Sequence, residues 1–169
     1  MKKTLVVVLT LFVVVSFIYP ESKIGVINPN KVISETIRGK QVREKLEKYS
    51  NSKQAQAKTM EEEIQKLEKE LMSPALNNDT REKKALDLQN KRTNLKRFLE
   101  DAQREFNTKS QQELQALYKE IMPIIEKIGA SEGFTIIFDL SNSGISYFDK
   151  TIDVTDKVIK AYDAKISSK

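Results

Sequence analysis

MEEEIQKLEKELMSPALNNDTREKKALDL, residues 60–88, is the stretch on which the fold turns. Met60, Ile64, Leu67 and Leu71 follow one another at helical spacing with charge on either side, which is a heptad seam. Ser73-Pro74 stops that helix, because proline has no N–H to donate and its ring clashes with the preceding turn. Asn77-Asn78-Asp79-Thr80 supplies turn chemistry and several good N-caps. Beyond it the apolar period resumes at Ala85 and Leu88. Two seams joined by so short a connection fold back as an antiparallel helical hairpin.

Working outward, the first arm reaches back through Tyr49, Leu46 and Val42 to about residue 40. Between these and Met60, residues 50–59 (SNSKQAQAKT) offer only Ala55 and Ala57, so the seam is thin there. The second helix runs from about 80 to 131. Its seam is Ala85, Leu88, Leu95, Leu99, Ala102 and Phe106, then Leu114, Leu117, Ile121, Ile124 and Ile128. The step from Phe106 to Leu117 breaks the heptad, a stutter that locally unwinds a left-handed supercoil. Pro123 is expected to kink the helix. Arms of about 30 residues project roughly 45 Å.

The strands lie at the two ends of the chain. Residues 23–28 (KIGVIN) read as a strand, and Asn28 and Pro29 suit the cap and first position of a short helix over 30–36, with a break or bend at Gly39. After a helix stop at Gly133, Phe134–Leu140 is the best strand, with Phe134, Ile136, Phe138 and Leu140 on one face. Asn142-Ser143-Gly144 reads as a hairpin turn and Ile145–Phe148 as the returning strand. Thr155 is expected to cap a last helix holding Val158, Ile159 and Tyr162. The fold class is α+β and predominantly helical. A small body of residues 23–39 and 123–163, with strands at about 23–28, 134–140 and 145–148, carries an arm of residues 40–122. A body this small has a marginal core, and oligomerisation through an exposed sheet edge is the expected remedy. Ile24, Val26, Phe134, Ile136, Phe138, Ile145, Tyr147 and Phe148 are the expected core and oligomer interface.

The 169 residues are 31% charged and 7% aromatic, with five Gly and four Pro, which suits long helices better than turn-rich β structure. Cys, His and Trp are absent. That removes disulfides, thiolate and imidazole metal sites, and catalysis dependent on Cys or His. No phosphate-binding loop, nucleophile elbow or dinucleotide fingerprint occurs. Asp139, Asp149, Asp153 and Asp156 lack the spacing of a calcium loop and suit caps and turns. The expectation is a protein without enzymatic activity, metal or cofactor. A formal charge of +5 is too mild to indicate nucleic acid. Residues 1–22 read as a signal peptide: Lys2 and Lys3, then an apolar run from Leu5 to Ile18, roughly 21 Å as a helix against a bilayer core of ~30 Å. No A-x-A marks a cut, and a retained anchor is the alternative. Either way the rest of the chain leaves the cytoplasm.

The opening strand Lys23-Ile24-Gly25-Val26-Ile27, the long charged hairpin, and the tail EGFTIIFDLSNSGISYFDKTIDVTDKVIKAY together resemble the Skp/OmpH family of periplasmic chaperones over residues 23–163. The resemblance implies a homotrimer with a β-barrel-like body and three helical arms around a cavity. It also implies a holdase that keeps unfolded outer-membrane proteins from aggregating without ATP, and partners that include lipopolysaccharide or anionic lipid. The hairpin here is richer in Asn, Ser and Gln than the family pattern. A coiled-coil tether or scaffold of the cell envelope is the competing reading.

Candidate binding residues lie on the arm. With the turn near residue 76, residues 82–91 oppose the acids of 61–70, so Lys83, Lys84 and Lys91 are neutralised across the hairpin. Residues 92–97 oppose 55–60, which hold no acid. The expected uncompensated basic patch, for anionic lipid or client, is Lys58, Arg92, Lys96 and Arg97. Leu86 and Phe98, off the seam, and Leu95, facing only alanines, are the expected client-facing apolar side chains.

Overall fold

The structure, a computed structural model, describes residues 22–168; the expected signal peptide, apart from Ser22, lies outside the described residues. The order is β1 (Ile24–Ile27), α1 (Pro29–Glu35), α2 (Ile37–Leu71), α3 (Asn78–Glu132), β2 (Ile136–Asp139), a 3-10 turn (Lys150–Ile152) and α4 (Thr155–Ser167). It is the expected α+β, predominantly helical architecture, with α2 and α3 as the antiparallel hairpin. Asn28 caps α1 by accepting the Lys31 N–H at 3.1 Å, with Pro29 at the first helical position.

The α1–α2 break falls at Thr36 rather than at Gly39. Thr36 is extended at ψ 152°, and its buried hydroxyl accepts the Gly39 N–H at 3.2 Å. Asp163 of α4 accepts the Ile37 N–H at 2.8 Å, placing a carboxylate at the positive end of α2. Gly39 serves close approach instead: a Cβ there would lie 1.7 Å from the Ile33 carbonyl oxygen. At the far end, Asn77 accepts the Thr80 N–H at 2.8 Å, and Arg81 donates to the carbonyls of Leu71 and Ser73 at 2.8 and 3.1 Å. The last carbonyls of α2 are thus satisfied from the start of α3. The α3 helix continues through Pro123 and ends at Gly133, whose φ of 71° is left-handed.

β1 and β2 pair in parallel, with Ile24 opposite Ile136 and Val26 opposite Phe138. The other edge of β1 receives the Val154 N–H at 2.9 Å through the Val26 carbonyl. The expected hairpin with a returning strand at Ile145–Phe148 does not form. Asp139 instead accepts the N–H of Ser141 and the side-chain amide of Asn142, which turns the chain away, and residues 145–149 join no ladder. The inward face of β2 is also the other one. Ile137 packs on the core, whereas Ile136 and Phe138 are 45% and 37% exposed. Helices cover the face bearing Ile27 and Ile137; on the other face Val26 is buried, while Ile24, Ile136 and Phe138 stay half-exposed in a single chain. Of the expected core residues, Val26 is fully buried and Phe134 packs against the core. Ile145 and Phe148 are half-buried, and Tyr147 is 86% exposed.

The core itself joins Ile27, Val32, Val42, Leu117, Ile121 and Ile124 to Val154, Val158 and Tyr162. Val42, Leu117 and Ile121 fall within 40–122, so α2 and α3 run unbroken from the body into the arm. The Tyr162 hydroxyl donates to Glu120; burial first, then that carboxylate, pushes the phenol well above its usual range. Thr155 is the first residue of α4, not its cap. Its N–H is held by Asp153 at 2.8 Å, and its own hydroxyl oxygen accepts the Asn28 N–H at 2.9 Å.

Along the arm, Ile64 and Leu67 are buried near the tip, but Ala57 is the only buried side chain of α2 between Val42 and Ile64. Opposite it the seam steps through Leu95, Phe98 and Ala102. Phe98 is therefore half-buried on the seam while Leu99 is 48% exposed. Ion pairs tie the helices where apolar contact is thin. Lys45 pairs with Glu113, Lys53 with Glu105 at 3.1 Å, Lys91 with Glu63 at 2.9 Å and Lys84 with Glu70, and the Tyr49 hydroxyl donates to Glu105. At about 100° per residue, Lys45, Lys53, Glu63 and Glu70 fall on one side of α2, so these bonds form a spine along one face of the hairpin. The hydrogen bonds hold all four carboxyls below their usual range: from Tyr49 first and Lys53 next at Glu105, and chiefly from Lys45, Lys91 and Lys84 at Glu113, Glu63 and Glu70.

Two outcomes follow from this packing. Gly39→Ala drives a methyl into the Ile33 carbonyl and is expected to lower unfolding stability by about 1–3 kcal/mol or more, read from urea midpoints. Because the folded-state carboxyl is depressed, the contribution of Glu105 is present above its unfolded pKa and lost as pH falls through the folded value. Glu105→Gln should therefore lower the urea midpoint at pH 7 and have no effect below the pH at which Glu105 protonates in the fold. An equal deficit at both pH values would show that the bond is not ionic.

Candidate functional site

The face of the hairpin opposite the spine is open. Three hollows lie along it between α2 and α3. The one nearest the body, about 480 Å³, is floored by Ile33, Val42, Leu46 and Leu114. The middle one, about 430 Å³, is walled by Tyr49, Phe98 and Phe106 over Ala57 and Ala102. The distal one, about 380 Å³, is floored by Ile64, Leu95 and Leu99. Ser50 and Phe106 line both of the first two, and Glu61 and Leu99 line both of the last two, so the hollows form one groove. It runs from Val42 to Glu68 of α2, roughly 39 Å at 1.5 Å per residue.

The sequence explains why the groove exists. Two helices bury only the faces they turn to each other, and alanine at 57 and 102 leaves space where a leucine would fill the rim. Uncharged polar side chains interrupt the apolar floor: Ser50, Asn51, Gln54, Gln65 and Gln103 all line it. The thin seam of residues 50–59 foretold the hollow. The amides were visible only as the unusual Asn, Ser and Gln content of the hairpin.

Leu95 and Phe98 line the groove as expected for apolar binding residues, Phe98 from the seam and not beside it. Leu86 does not join them. It is 60% exposed in a separate shallow hollow with Asp79, Glu82 and Lys83 near the tip. Lys58, Arg92 and Lys96 stand along the groove. Arg97, two residues beyond Leu95, lies roughly 200° round the helix, on the far side.

The expected uncompensated patch is corrected by the pairing. Arg92 reaches Glu68 at 2.6 Å, while Lys58 and Lys96 lie 4.0 Å from Glu62 and Glu100 on their own helices. The arms are offset from the expected register, which had placed Arg92 opposite residues without acids. These pairs are exposed, and such pairs contribute little and are screened by salt.

Lys53 was not anticipated. Its ammonium lies 5.4 Å from the Tyr49 ring centre and 5.3 Å from that of Phe98, and Lys109 lies 5.4 Å from Tyr49. These are cation–π distances. The signal was the Tyr49–Lys53 spacing of one helical turn, which brings the two side chains to one face. Lys53 thereby belongs to both spine and groove. Among the described residues no group of three or more Asp and Glu side chains is placed to hold a metal ion.

The fold resembles known structures. A crystal structure of an OmpH-like protein from Caulobacter crescentus CB15, titled as a candidate outer membrane chaperone, matches with a TM-score of 0.77, covering 85% of each chain at 20% identity. A protein of Aquifex aeolicus (strain VF5), described only as uncharacterized, is 28% identical over 141 residues, 81% of this chain and 83% of that one. The family described as outer membrane protein (OmpH-like) matches over residues 23–162, from the first strand through Tyr162 at the centre of the body. The chain belongs to the OmpH-like family.

Proposed function

We propose that this protein is an ATP-independent holdase of the periplasm, which binds unfolded outer-membrane proteins and prevents their aggregation in transit. The observation that carries the reading is the groove: an apolar floor some 39 Å long, open to solvent, on an arm held out from the body. Many weak contacts along such a surface delay aggregation without chemistry, and release follows when the client folds elsewhere. The family membership and the OmpH-like neighbour support a chaperone role.

The working unit we propose is a homotrimer, with the arm of residues 40–122 carried on a body of residues 23–39 and 123–163. The half-exposed Ile24, Ile136 and Phe138, the exposed Tyr147 and the segment 145–148, which joins no ladder, are what further copies of this chain would cover. The edge of β2 away from β1 pairs with no strand among the described residues, and such an edge invites strand addition. Anionic lipid or lipopolysaccharide is a further partner on this reading, drawn by Lys58, Arg92, Lys96 and Arg97 through long-range attraction, since none of their exposed pairs fixes the charge firmly.

Residues 23–169 should remain trimeric in light scattering and, at substoichiometric trimer, keep a urea-unfolded outer-membrane β-barrel protein soluble on dilution without ATP. A monomer, or a client that precipitates at its unaided rate, would end the chaperone reading in favour of an envelope tether. Replacing Lys58, Arg92, Lys96 and Arg97 together by Gln should weaken binding to anionic vesicles at low salt several-fold. Unchanged binding would remove lipid from the reading.

A further inference from the structure

The groove of the arm has two properties that together specify its occupant. Its floor is apolar but interrupted by amides, and its length is limited. An apolar floor alone would suit a third amphipathic helix, completing a three-helix bundle. A helix, however, satisfies its backbone internally and has no use for amide side chains beneath it. An extended segment leaves a row of backbone N–H and C=O groups unpaired, and each must find a partner when water is excluded. Ser50, Gln54, Gln65 and Gln103, lining the hollows, supply donors and acceptors of both kinds beyond the Gln54–Ser50 and Gln103–Asn107 hydrogen bonds within their own helices.

Length agrees. About 39 Å accommodates about 12 residues of extended chain at 3.3 Å each. That slightly exceeds the ~9–11 residues of one membrane-spanning β-strand. Such a strand alternates apolar and polar side chains, so one side meets the floor while the other faces out. The rim is basic on balance and so favours acids: Arg43, Lys53, Lys58, Arg92 and Lys96 line it against Glu47, Glu61 and Glu68.

We propose that the groove between α2 and α3 binds a single extended, amphipathic client segment of about 10–12 residues, apolar side down and acidic side toward Lys58, Arg92 and Lys96. The inference rests on the holdase reading and adds what one arm recognises. The Lys45–Glu113, Lys84–Glu70 and Lys91–Glu63 pairs, away from the groove, keep the two helices together while it is occupied.

The test uses residues 23–169 and three fluorescent peptides of equal composition. One alternates apolar and acidic residues, one places its apolar residues at helical spacing, and one is shuffled. Anisotropy should show the alternating peptide binding at least tenfold more tightly than the other two. Gln54→Glu with Gln103→Glu, both exposed and lining the groove, should abolish that preference. Ser52→Glu with Thr108→Glu adds the same charge to the spine face and should leave it within twofold. Tighter binding of the helical peptide, equal binding of all three, or equal loss with both double variants overturns the proposal. The aggregation assay on the same samples separates the levels. Suppressed aggregation without peptide preference sinks the groove and leaves the holdase, whereas failure of both removes the holdase itself.

Discussion

Everything in this molecule depends on β1 being held from both sides. Its one edge pairs with β2 and its other receives the Val154 N–H, so three segments far apart in sequence meet on four residues. The chain between β1 and β2 must therefore leave the body and come back. A strand can be joined to a parallel neighbour only by a long crossover. Here the crossover has been drawn out into a hairpin whose longer helix, α3, would span roughly 80 Å if straight. The arm's base is anchored where Val42, Leu117 and Ile121 enter the same core as Tyr162.

The arm obeys a different rule from the body. The body buries large side chains and closes its polar groups with specific partners: Thr36, Thr155, Asp163 and the Tyr162–Glu120 bond. The arm has two helices and only one shared face, so hydrophobic burial runs short. Ion pairs on one side and alanines in the middle take its place. A groove with an exposed apolar floor is a liability for a protein whose task is to be inert and suits one that binds what others leave exposed. The Lys45–Glu113, Lys84–Glu70 and Lys91–Glu63 pairs lie away from that floor, whereas Lys53 and the Arg92–Glu68 pair line the groove itself, so cohesion of the hairpin and access to the groove share only part of their side chains.

Much of this was legible from spacing alone. The seams on either side of Ser73-Pro74, the caps at Asn28 and Asn77 and the stop at Gly133 are local signals, and each acts through its own few residues. The thin stretch at 50–59 was legible for the same reason, since missing side chains leave space wherever the helix packs. Apart from the local placements of the α1–α2 break and the start of α4, the errors came at steps where a partner decides. Phe98 and Leu99 are neighbours in sequence, and either continues an acceptable period; contact with α2 selected Phe98. Arg92 looked unpaired because the register of two long helices shifts with small changes at the turn.

The sequence by itself determined the elements: which stretches are helical, where they stop, and that two long ones must pair, because these follow from period and backbone chemistry within a few residues. It also determined the absence of thiol and imidazole chemistry, since those residues do not occur. Tertiary structure decided which strand pairs with which. Ile145–Phe148 has the pattern of a strand, but a ladder needs a neighbour, and β2 found its own in β1 on the far side of the hairpin. Tertiary structure likewise decided which face of β2 turns inward, because a period of two names two faces and only the helices packed behind Ile137 choose between them. The two-sided character of the arm, laced on one face and open on the other, exists only once α2 and α3 are set side by side.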